Sequence, residues 1–262
     1  MVRLLDELTE LEKMSLIPMS YSRLNNYKMC EAMYFYSSIV KLPGTFGEAA
    51  KMGNVIHGVL ENMLERNRPV DPMRVGEYYN EFLEQREIYD PDHIITQEYM
   101  DIGIDILQDW MDKHRGDQFP ILSKELGFEI VIGGALFRGF IDRVDGSKDT
   151  LYITDYKTGK HEVAQKWIHK DLQLGIYVLA LGALFPQYDR FYAELYYLKS
   201  QKQKGHLFTR DDLPAIESDV LELLNEVVSK KFFKETKNFR ICSFCDHAKS
   251  GACRTGARQL RR

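Results

Sequence analysis

Three charged residues, Asp142, Asp155 and Lys157, stand near the ends of two predicted strands, where their types and spacing suit one kind of chemistry. Side chains alternate along a strand, so Asp155 and Lys157 of "LYITDYKTGK" project to the same face. Asp142 follows an apolar residue on its own face of the preceding strand, "LFRGFIDRV". If the two strands pair across the turn signal "DGSKD", the two carboxylates approach each other near the centre of the sheet.

Two carboxylates at one point repel each other, and a divalent cation such as Mg²⁺ or Mn²⁺ removes the conflict by binding their oxygens. A lysine two residues after the second carboxylate can stabilise phosphate charge or orient an attacking water. Together these groups suit metal-assisted hydrolysis of a phosphodiester. The Asp-x-Lys tripeptide alone is common, however, and a salt-bridged strand end at the surface is the alternative interpretation.

Three residues on predicted helices are further candidates. His57 lies in an apolar helix predicted over 51–66, where a histidine is more often a core residue than a ligand. Beside two aspartates that imply a metal, an imidazole ligand becomes the better interpretation. Gln173 and Tyr177 are four residues apart, so they share one helix face. That face could line the cleft or be a polar stripe at a sheet edge.

Three of the four cysteines, Cys242, Cys245 and Cys253, are clustered in "CSFCDHAKSGAC", whereas Cys30 lies far upstream. Large intracellular proteins have little use for disulfides. Thiolates with this spacing bind either Zn²⁺ or a [4Fe–4S] cluster. His247 lies within the run, so a zinc site with three cysteines and this histidine is the competitor of the iron–sulfur cluster.

The elements that must position these residues follow from hydrophobic periodicity and turn signals. Their order is helices, three strands, a helix, a strand, a helix and a cysteine-rich end. This order predicts an α/β fold with a central mixed sheet flanked by helices, and with a helical insertion or cap over 58–120. The predicted helices span 20–39, 51–66, 163–185 and 211–231, and the predicted strands are an antiparallel meander within 125–157 and a strand at 191–200.

The overall composition excludes some classes of protein. The net charge of −4 argues against a surface covered with basic residues, although not against a local basic groove. No apolar run approaches the roughly 20 residues that span a bilayer. The N-terminal "MVRLLDELTELEKM" has acids throughout and lacks the apolar region of a signal peptide. We therefore expect a cytoplasmic protein without a membrane partner.

Five segments, in order along the chain, resemble the RecB-like branch of the PD-(D/E)XK nuclease superfamily. The resemblance spans about residues 20–253, and the segments are "GNVIHGVLE", "ELGFEIVIGG", "GFIDRVDG", "YITDYKTGK" and "LQLGIYVLAL". It implies one nuclease domain over 1–262 that binds Mg²⁺ or Mn²⁺ and acts on DNA.

The resemblance also implies a role for each matching residue. His57, Asp142 and Asp155 become metal ligands, and Lys157 becomes the catalytic lysine. The remaining implied catalytic residues are the upstream acid Glu125, for which Glu129 is the alternative, and the pair Gln173 and Tyr177.

The split cysteines resemble the iron–sulfur subgroup of these nucleases, which includes CRISPR-associated and AddB-type members. In that subgroup one cysteine precedes the nuclease core and three follow it, as Cys30 and the C-terminal run do here. The resemblance implies a [4Fe–4S] cluster, with zinc as the second choice. It also implies a cluster-binding module over 236–262 that Cys30 closes.

The function expected from this resemblance is metal-dependent hydrolysis of DNA. Single-stranded DNA or DNA ends are the expected substrate, cut by an exonuclease of recombination, repair or CRISPR-like processing in a prokaryotic or phage-like setting. A non-catalytic nucleic-acid-binding assembly module is the rival, although Asp142, Asp155 and Lys157 would be superfluous in it. A metal-dependent phosphohydrolase of another fold fits the motif order poorly.

Overall fold

A computed structural model describes residues 2–9, 12, 15–44, 48–89 and 96–261, without the side chains of residues 85–89. Residues 90–95 of the predicted helical insertion and residue 262 of the predicted C-terminal module lie outside this part of the chain. Among the helices that the structure describes, none combines the length and apolar character needed to cross a bilayer.

The segments rich in β-branched and aromatic residues form the predicted mixed sheet, which has seven strands in the order β1-β3-β4-β5-β6-β7, with β2 paired to β4. The pairs β4–β5 and β6–β7 are antiparallel, whereas β2–β4 and β5–β6 are parallel. The strands are β1 (Arg3–Leu4), β2 (Ile17–Met19), β3 (Ile121–Ile132), β4 (Ala135–Gly146), β5 (Thr150–Lys157), β6 (Arg190–Tyr197) and β7 (Lys202–Thr209).

Helices flank this sheet, as the order of elements predicts. Ten α-helices are described: α1 (Tyr21–Met29), α2 (Glu31–Tyr34), α3 (Glu48–Met63), α4 (Val75–Tyr89), α5 (Gln97–Lys113), α6 (Leu172–Leu184), α7 (Leu213–Ser229), α8 (Phe239–Phe244), α9 (Asp246–Lys249) and α10 (Arg254–Leu260). Short 3₁₀ turns lie at Leu5–Glu7, Pro72–Arg74, Gln165–Lys170 and Arg210–Asp212, and a π-helix follows α2 at Phe35–Ile39.

The chain divides into two compact units. The first comprises Met1–Thr45, Phe128–Gly139 and Asp212–Arg262, and the second comprises Phe46–Gly127 and Phe140–Asp211. In the second unit the apolar faces of α3 and α5 pack around Trp110, Leu107 and Ile56, which are fully buried. Residues 58–120 are mainly helical, and their status as an insertion within one nuclease domain stays a prediction.

The helix predicted over 20–39 is interrupted at Cys30. Cys30 adopts an extended conformation between α1 and α2, with φ −162° and ψ 117°. Its N–H still donates to the carbonyl of Asn26, which completes the last turn of α1. Glu31 then accepts hydrogen bonds from the Lys230 ammonium and the Lys234 N–H, both at 2.8 Å. These tertiary hydrogen bonds stabilise the interruption between α1 and α2. The spacing of apolar residues in the segment does not predict them.

Candidate active site

The antiparallel pairing of β4 with β5 brings Asp142 and Asp155 together. Arg143 pairs with Thr154, so the two aspartates lie one step further along the ladder. The Tyr156 N–H donates to Asp142 Oδ2 at 2.7 Å, which fixes the carboxylate against the neighbouring strand. The arrangement places two carboxylates, one of them almost fully buried (Asp155, 3% exposed), where the pattern of the two strands predicts them.

Lys157, Gln173 and Tyr177 surround the carboxylate of Asp155. Lys157 Nζ lies 2.6 Å from Asp155 Oδ2 and donates to Gln173 Oε1 at 2.5 Å. Gln173 Nε2 donates to Asp155 Oδ1 at 2.8 Å, and the Tyr177 hydroxyl donates to the same oxygen at 3.3 Å. Gln173 therefore connects the lysine to the aspartate, and each of the three polar side chains has a fixed direction.

The sequence of α6 places Gln173 and Tyr177 on this site. Asp171 is the N-cap of the helix, and its carboxylate accepts the N–H groups of Gln173 and Leu174, both at 3.0 Å. An aspartate before an apolar run is a recognised helix start, so this positioning residue was detectable from sequence. The helix is buried along most of its length. The polar side chains of Gln173 and Tyr177 contact Asp155 at the end of β5.

A second group lies around Asp142. One donor atom each from His57, Glu125 and Asp142 lie within 4.8 Å of one another, and among the described residues this is the group whose chemistry and spacing could hold a metal. His57 Nδ1 lies 3.2 Å from Asp142 Oδ2. An imidazole nitrogen with two carboxylate oxygens suits a hard or borderline divalent cation. The donor set therefore fits the ion that the sequence implies, although it includes Glu125 where the sequence suggested Asp155.

Glu125 reaches this group through an unusual backbone conformation. Its φ is +45°, although it lies within β3. A non-glycine residue with positive φ is uncommon, and such a distortion in a strand can re-aim a side chain toward a site. Glu129, the alternative acid, forms an ion pair with Arg138 at 2.5 Å and is not part of the group of His57, Glu125 and Asp142.

The pKa values of Asp155, Glu125 and His57 are all raised at this site. Burial raises the pKa of Asp155, although Lys157 opposes the shift. Burial also raises the pKa of Glu125, and the nearby charge of Asp142 adds to it. Burial alone would lower the pKa of His57, but the hydrogen bond and charge of Asp142 outweigh it and raise that pKa. A cation bound here would relieve the repulsion among the carboxylates.

The opposite face of β4 carries a buried ion pair. Arg143 Nε lies 3.1 Å from Asp145 Oδ2, and both side chains are buried. Arg143 also donates to the Tyr156 hydroxyl at 2.6 Å and to Thr154 at 3.2 Å. These bonds tie β4 to β5 beside the two aspartates, so they position the site without belonging to it.

The four cysteines line one small cavity in the first unit, together with His247 and Tyr36. His247 Nε2 lies 3.1 Å from Ser37 Oγ, within hydrogen-bonding distance. In the part of the chain that the structure describes, no three ligand atoms from the cysteines and His247 all lie within 4.8 Å of one another, as those of His57, Glu125 and Asp142 do. The structure thus gathers Cys30 with the C-terminal run, at a wider spacing than that of the carboxylate group.

Comparisons with solved structures give a similar fold. A comparison with curated proteins finds no match. A crystal structure of a protein from Eubacterium rectale named "Putative exonuclease" is 11% identical, with a TM-score of 0.53 over 95% of this chain and 93% of that chain. At this identity the likeness concerns the fold alone. The structure of SSO0001 is 17% identical over 76% of this chain and 92% of that chain, and its TM-score of 0.37 supports no further conclusion.

The sequence profile of the PD-(D/E)XK nuclease superfamily matches residues 18–253. The match includes β4, β5 and α6, and so all of the residues that surround Asp142 and Asp155. Since it covers most of the 262 residues, the chain belongs to the PD-(D/E)XK nuclease superfamily.

Proposed function

We propose that this protein is a divalent-metal-dependent deoxyribonuclease that hydrolyses phosphodiester bonds of single-stranded DNA or of DNA ends. The superfamily supports nuclease activity. The observation that carries the proposal is the set of contacts in which Lys157 is bonded to both Asp155 and Gln173, beside the group of His57, Glu125 and Asp142. A strand end with a purely structural role would need neither the contacts of Lys157 nor the group of His57, Glu125 and Asp142.

The metal would be held by His57, Glu125 and Asp142, with Asp155 as the neighbouring acid. PD-(D/E)XK nucleases use divalent metals, and Mg²⁺ or Mn²⁺ suits these donors. A cation bound there would stabilise the negative charge that develops on the phosphate. Hydrolysis adds water across the bond between phosphorus and the 3′-oxygen, which leaves a 5′-phosphate and a 3′-hydroxyl.

The protein's own residues have separate tasks in this proposal. Lys157 orients the attacking water and stabilises charge on the phosphate, because its ammonium is held between Asp155 and Gln173 beside the group of His57, Glu125 and Asp142. Gln173 positions Lys157 and Asp155 relative to each other. Tyr177 donates a weaker bond to Asp155 and supports its orientation.

We further propose that Cys30, Cys242, Cys245 and Cys253 bind a [4Fe–4S] cluster, as in the iron–sulfur subgroup of RecB-like nucleases. A single zinc ion with Zn–S distances of about 2.3 Å would bring its sulfurs to about 3.8 Å from one another. The wider spacing of the cysteines around their cavity favours a larger, polynuclear group. The contact between His247 Nε2 and Ser37 favours Cys30 over His247 as the fourth ligand.

The decisive experiment is incubation of the purified protein with end-labelled single-stranded and double-stranded DNA in Mn²⁺, Mg²⁺ or EDTA. We expect cleavage with either metal, none in EDTA, and 5′-phosphate products. Lys157→Ala should abolish cleavage, whereas Lys148→Ala should not, because Lys148 lies in the turn at the other end of β5. DNA binding without cleavage under every metal condition would instead support the non-catalytic assembly module.

A further inference from the structure

A groove in the second unit begins beside Lys157. Its volume is about 520 Å³, within the roughly 300–1,000 Å³ typical of ligand pockets. The groove is lined by residues of α3 and α5 and by the turns that follow β5 and β6. It is distinct from the group around Asp142, because it shares none of that group's residues.

The groove continues directly from the candidate active site. Thr158 and Gly159, which follow Lys157, form part of its wall. The Leu198 N–H donates to the Lys157 carbonyl at 3.0 Å, which holds the turn carrying Lys199 against the end of β5. On α3, Gly53 lines the groove and lies four residues before His57, so the two share one helix face.

Gly53 leaves room on α3 for the side chain of Thr158, which follows β5. A Cβ at this position would lie 3.0 Å from the Thr158 hydroxyl oxygen, closer than nearly all real contacts of this kind. A side chain at this position would require the Thr158 side chain to shift by a few tenths of an ångström. Because Gly53 shares a face of α3 with His57 and Thr158 follows Lys157, this contact lies between the helix of His57 and the end of β5.

The lining of the groove is apolar on one side and basic on another. Tyr99, Ile102 and Ile106 of α5 provide the apolar side, and Ile102 is 38% exposed. Lys160 and Lys199 are exposed and provide the basic side, while Glu98 is the acidic residue among the lining side chains. A ligand that fits this lining carries an apolar group and a negative charge.

We propose that this groove, the nucleotide groove, binds one unstacked nucleotide of single-stranded DNA next to the phosphate that is cut. The inference rests on the proposed nuclease function and deepens it by assigning the strand's path. The base would contact Tyr99 and Ile102, and the flanking phosphates would contact Lys160 and Lys199. A base in a stacked duplex cannot enter such a groove without leaving the stack, so the groove selects unpaired strands.

Binding of a fluorescein-labelled oligothymidylate, followed by anisotropy in EDTA across a series of salt concentrations, tests the proposal without cleavage. The Lys160→Ala/Lys199→Ala double variant should bind roughly tenfold more weakly at 0.1 M salt. Loss of two phosphate contacts should reduce the slope of log K against log salt by about 1.4. Lys148→Ala is the matched control, because it removes an equally exposed lysine outside the groove.

A second pair of variants tests the contact with the base. Tyr99→Leu should weaken binding roughly fivefold or more, because base–aromatic stacking is lost, whereas Tyr99→Phe should bind as the wild type does. A blunt hairpin duplex should compete poorly with the oligothymidylate. Thermal unfolding of each variant shows whether it is folded, and the exposed lysines provide variants that do not disturb the core.

The outcomes separate the groove from the nuclease function. If the wild type binds the oligonucleotide and the double variant matches Lys148→Ala in affinity and salt slope, the groove proposal is overturned while nuclease activity stands. Absence of oligonucleotide binding in the wild type also overturns it. If the double variant loses binding although no metal supports cleavage, the nucleotide groove stands and the proposed catalytic function fails.

Discussion

Gln173 is the residue through which the proposed catalytic lysine and aspartate are coupled. Its carbonyl oxygen accepts from Lys157 and its amide nitrogen donates to Asp155, so both ends of one amide are used. A flip of the Gln173 amide would break both hydrogen bonds, because its NH₂ group would then face the Lys157 ammonium and its oxygen would face the Asp155 carboxylate. This makes Gln173 a positioning residue with a role different from that of Tyr177, whose hydroxyl contacts Asp155 at 3.3 Å.

We predict that Gln173→Ala lowers kcat about a hundredfold, because small misplacements of a catalytic group have effects of this size. Tyr177→Phe should lower it less than about tenfold, since Gln173 still donates to the same carboxylate oxygen. Steady-state kinetics on end-labelled DNA give both constants, and KM should change little in either variant. An equal loss in the two variants, or a loss confined to KM, would contradict the positioning role.

At the scale of elements, the conformation of Glu125 links stability to the proposed metal site. A left-handed backbone costs roughly 1–2 kcal/mol for a residue with a Cβ. Glycine avoids this cost but loses about 0.5–1 kcal/mol of stability through the flexibility of the unfolded chain. At Glu125 these two backbone effects oppose each other, whereas at Glu129, whose φ is not positive, only the second applies and the loss of the ion pair with Arg138 acts in the same direction.

We therefore predict that Glu125→Gly changes the free energy of unfolding in EDTA by less than about 1 kcal/mol, and that Glu129→Gly destabilises the protein more. Mn²⁺ should raise the melting temperature of the wild type and of Glu129→Gly, but should have little effect on Glu125→Gly. Denaturant unfolding and melting curves with and without Mn²⁺ provide the measurements. A strong Mn²⁺ response of Glu125→Gly would remove Glu125 from the metal site.

His114, at the C-terminal end of α5, gives a pH dependence that is independent of the active site. Burial lowers its pKa, although the nearby Asp117 opposes the shift. The ring contacts Asp117 at 2.8 Å and the Tyr196 hydroxyl at 3.1 Å. Because the folded protein resists protonation here, stability is fully present above the unfolded pKa of about 6.5 and is lost as the pH falls below it.

The His114→Gln variant isolates this contribution, since glutamine retains polar atoms but does not titrate. Between pH 8 and pH 5.5 the wild type should lose more unfolding free energy than the variant does. Denaturant unfolding at several pH values measures the difference, in which the other titrating groups cancel. A steeper loss of stability in the variant would mean that the folded protein favours protonated His114.

Local signals in the sequence predicted the main elements, because strand alternation and helix periodicity reflect burial directly. The positions of Asp142, Asp155 and Lys157 followed from alternation along β4 and β5. The interruption at Cys30 was not predicted, because it depends on hydrogen bonds to Glu31 from Lys230 and Lys234, which are 199 and 203 residues away in the chain. The edge strand β7 was also missed, since most of its side chains are exposed and lack an apolar pattern.

The membership of the candidate metal-binding group was only partly predictable for a related reason. The sequence placed His57 with Asp142, and the structure brings them within 3.2 Å. Asp155 as a ligand stays a prediction, and the approach of Glu125 to Asp142 was not predictable from local pattern, because the positive φ of Glu125 has no signature in residue type. A glutamate at positive φ is stabilised by the surrounding fold rather than by its own preference.

At the scale of the whole molecule, the cysteines connect segments that are far apart in sequence. Cys30 and the run from Cys242 to Cys253 line one cavity within the first unit, although more than two hundred residues separate them. A cluster bound by all four would close this loop and so restrict the unfolded chain. By the relation used for disulfides, closing a loop of this length is worth at most about 5 kcal/mol.

We predict that anaerobically purified protein is brown, absorbs broadly at roughly 400 nm and contains iron. Cys30→Ala should release iron and lower the melting temperature by roughly 10–20 °C, because the loop is no longer closed. Asp155→Ala is the control and should retain its iron, because Asp155 does not line the cavity of the cysteines. Elemental analysis decides the identity of the metal: zinc without iron, in protein never exposed to air, would replace the cluster by a zinc site and bring His247 back as a ligand. The nuclease proposal would be unaffected, since the cysteines line a cavity that contains none of the residues around Asp142.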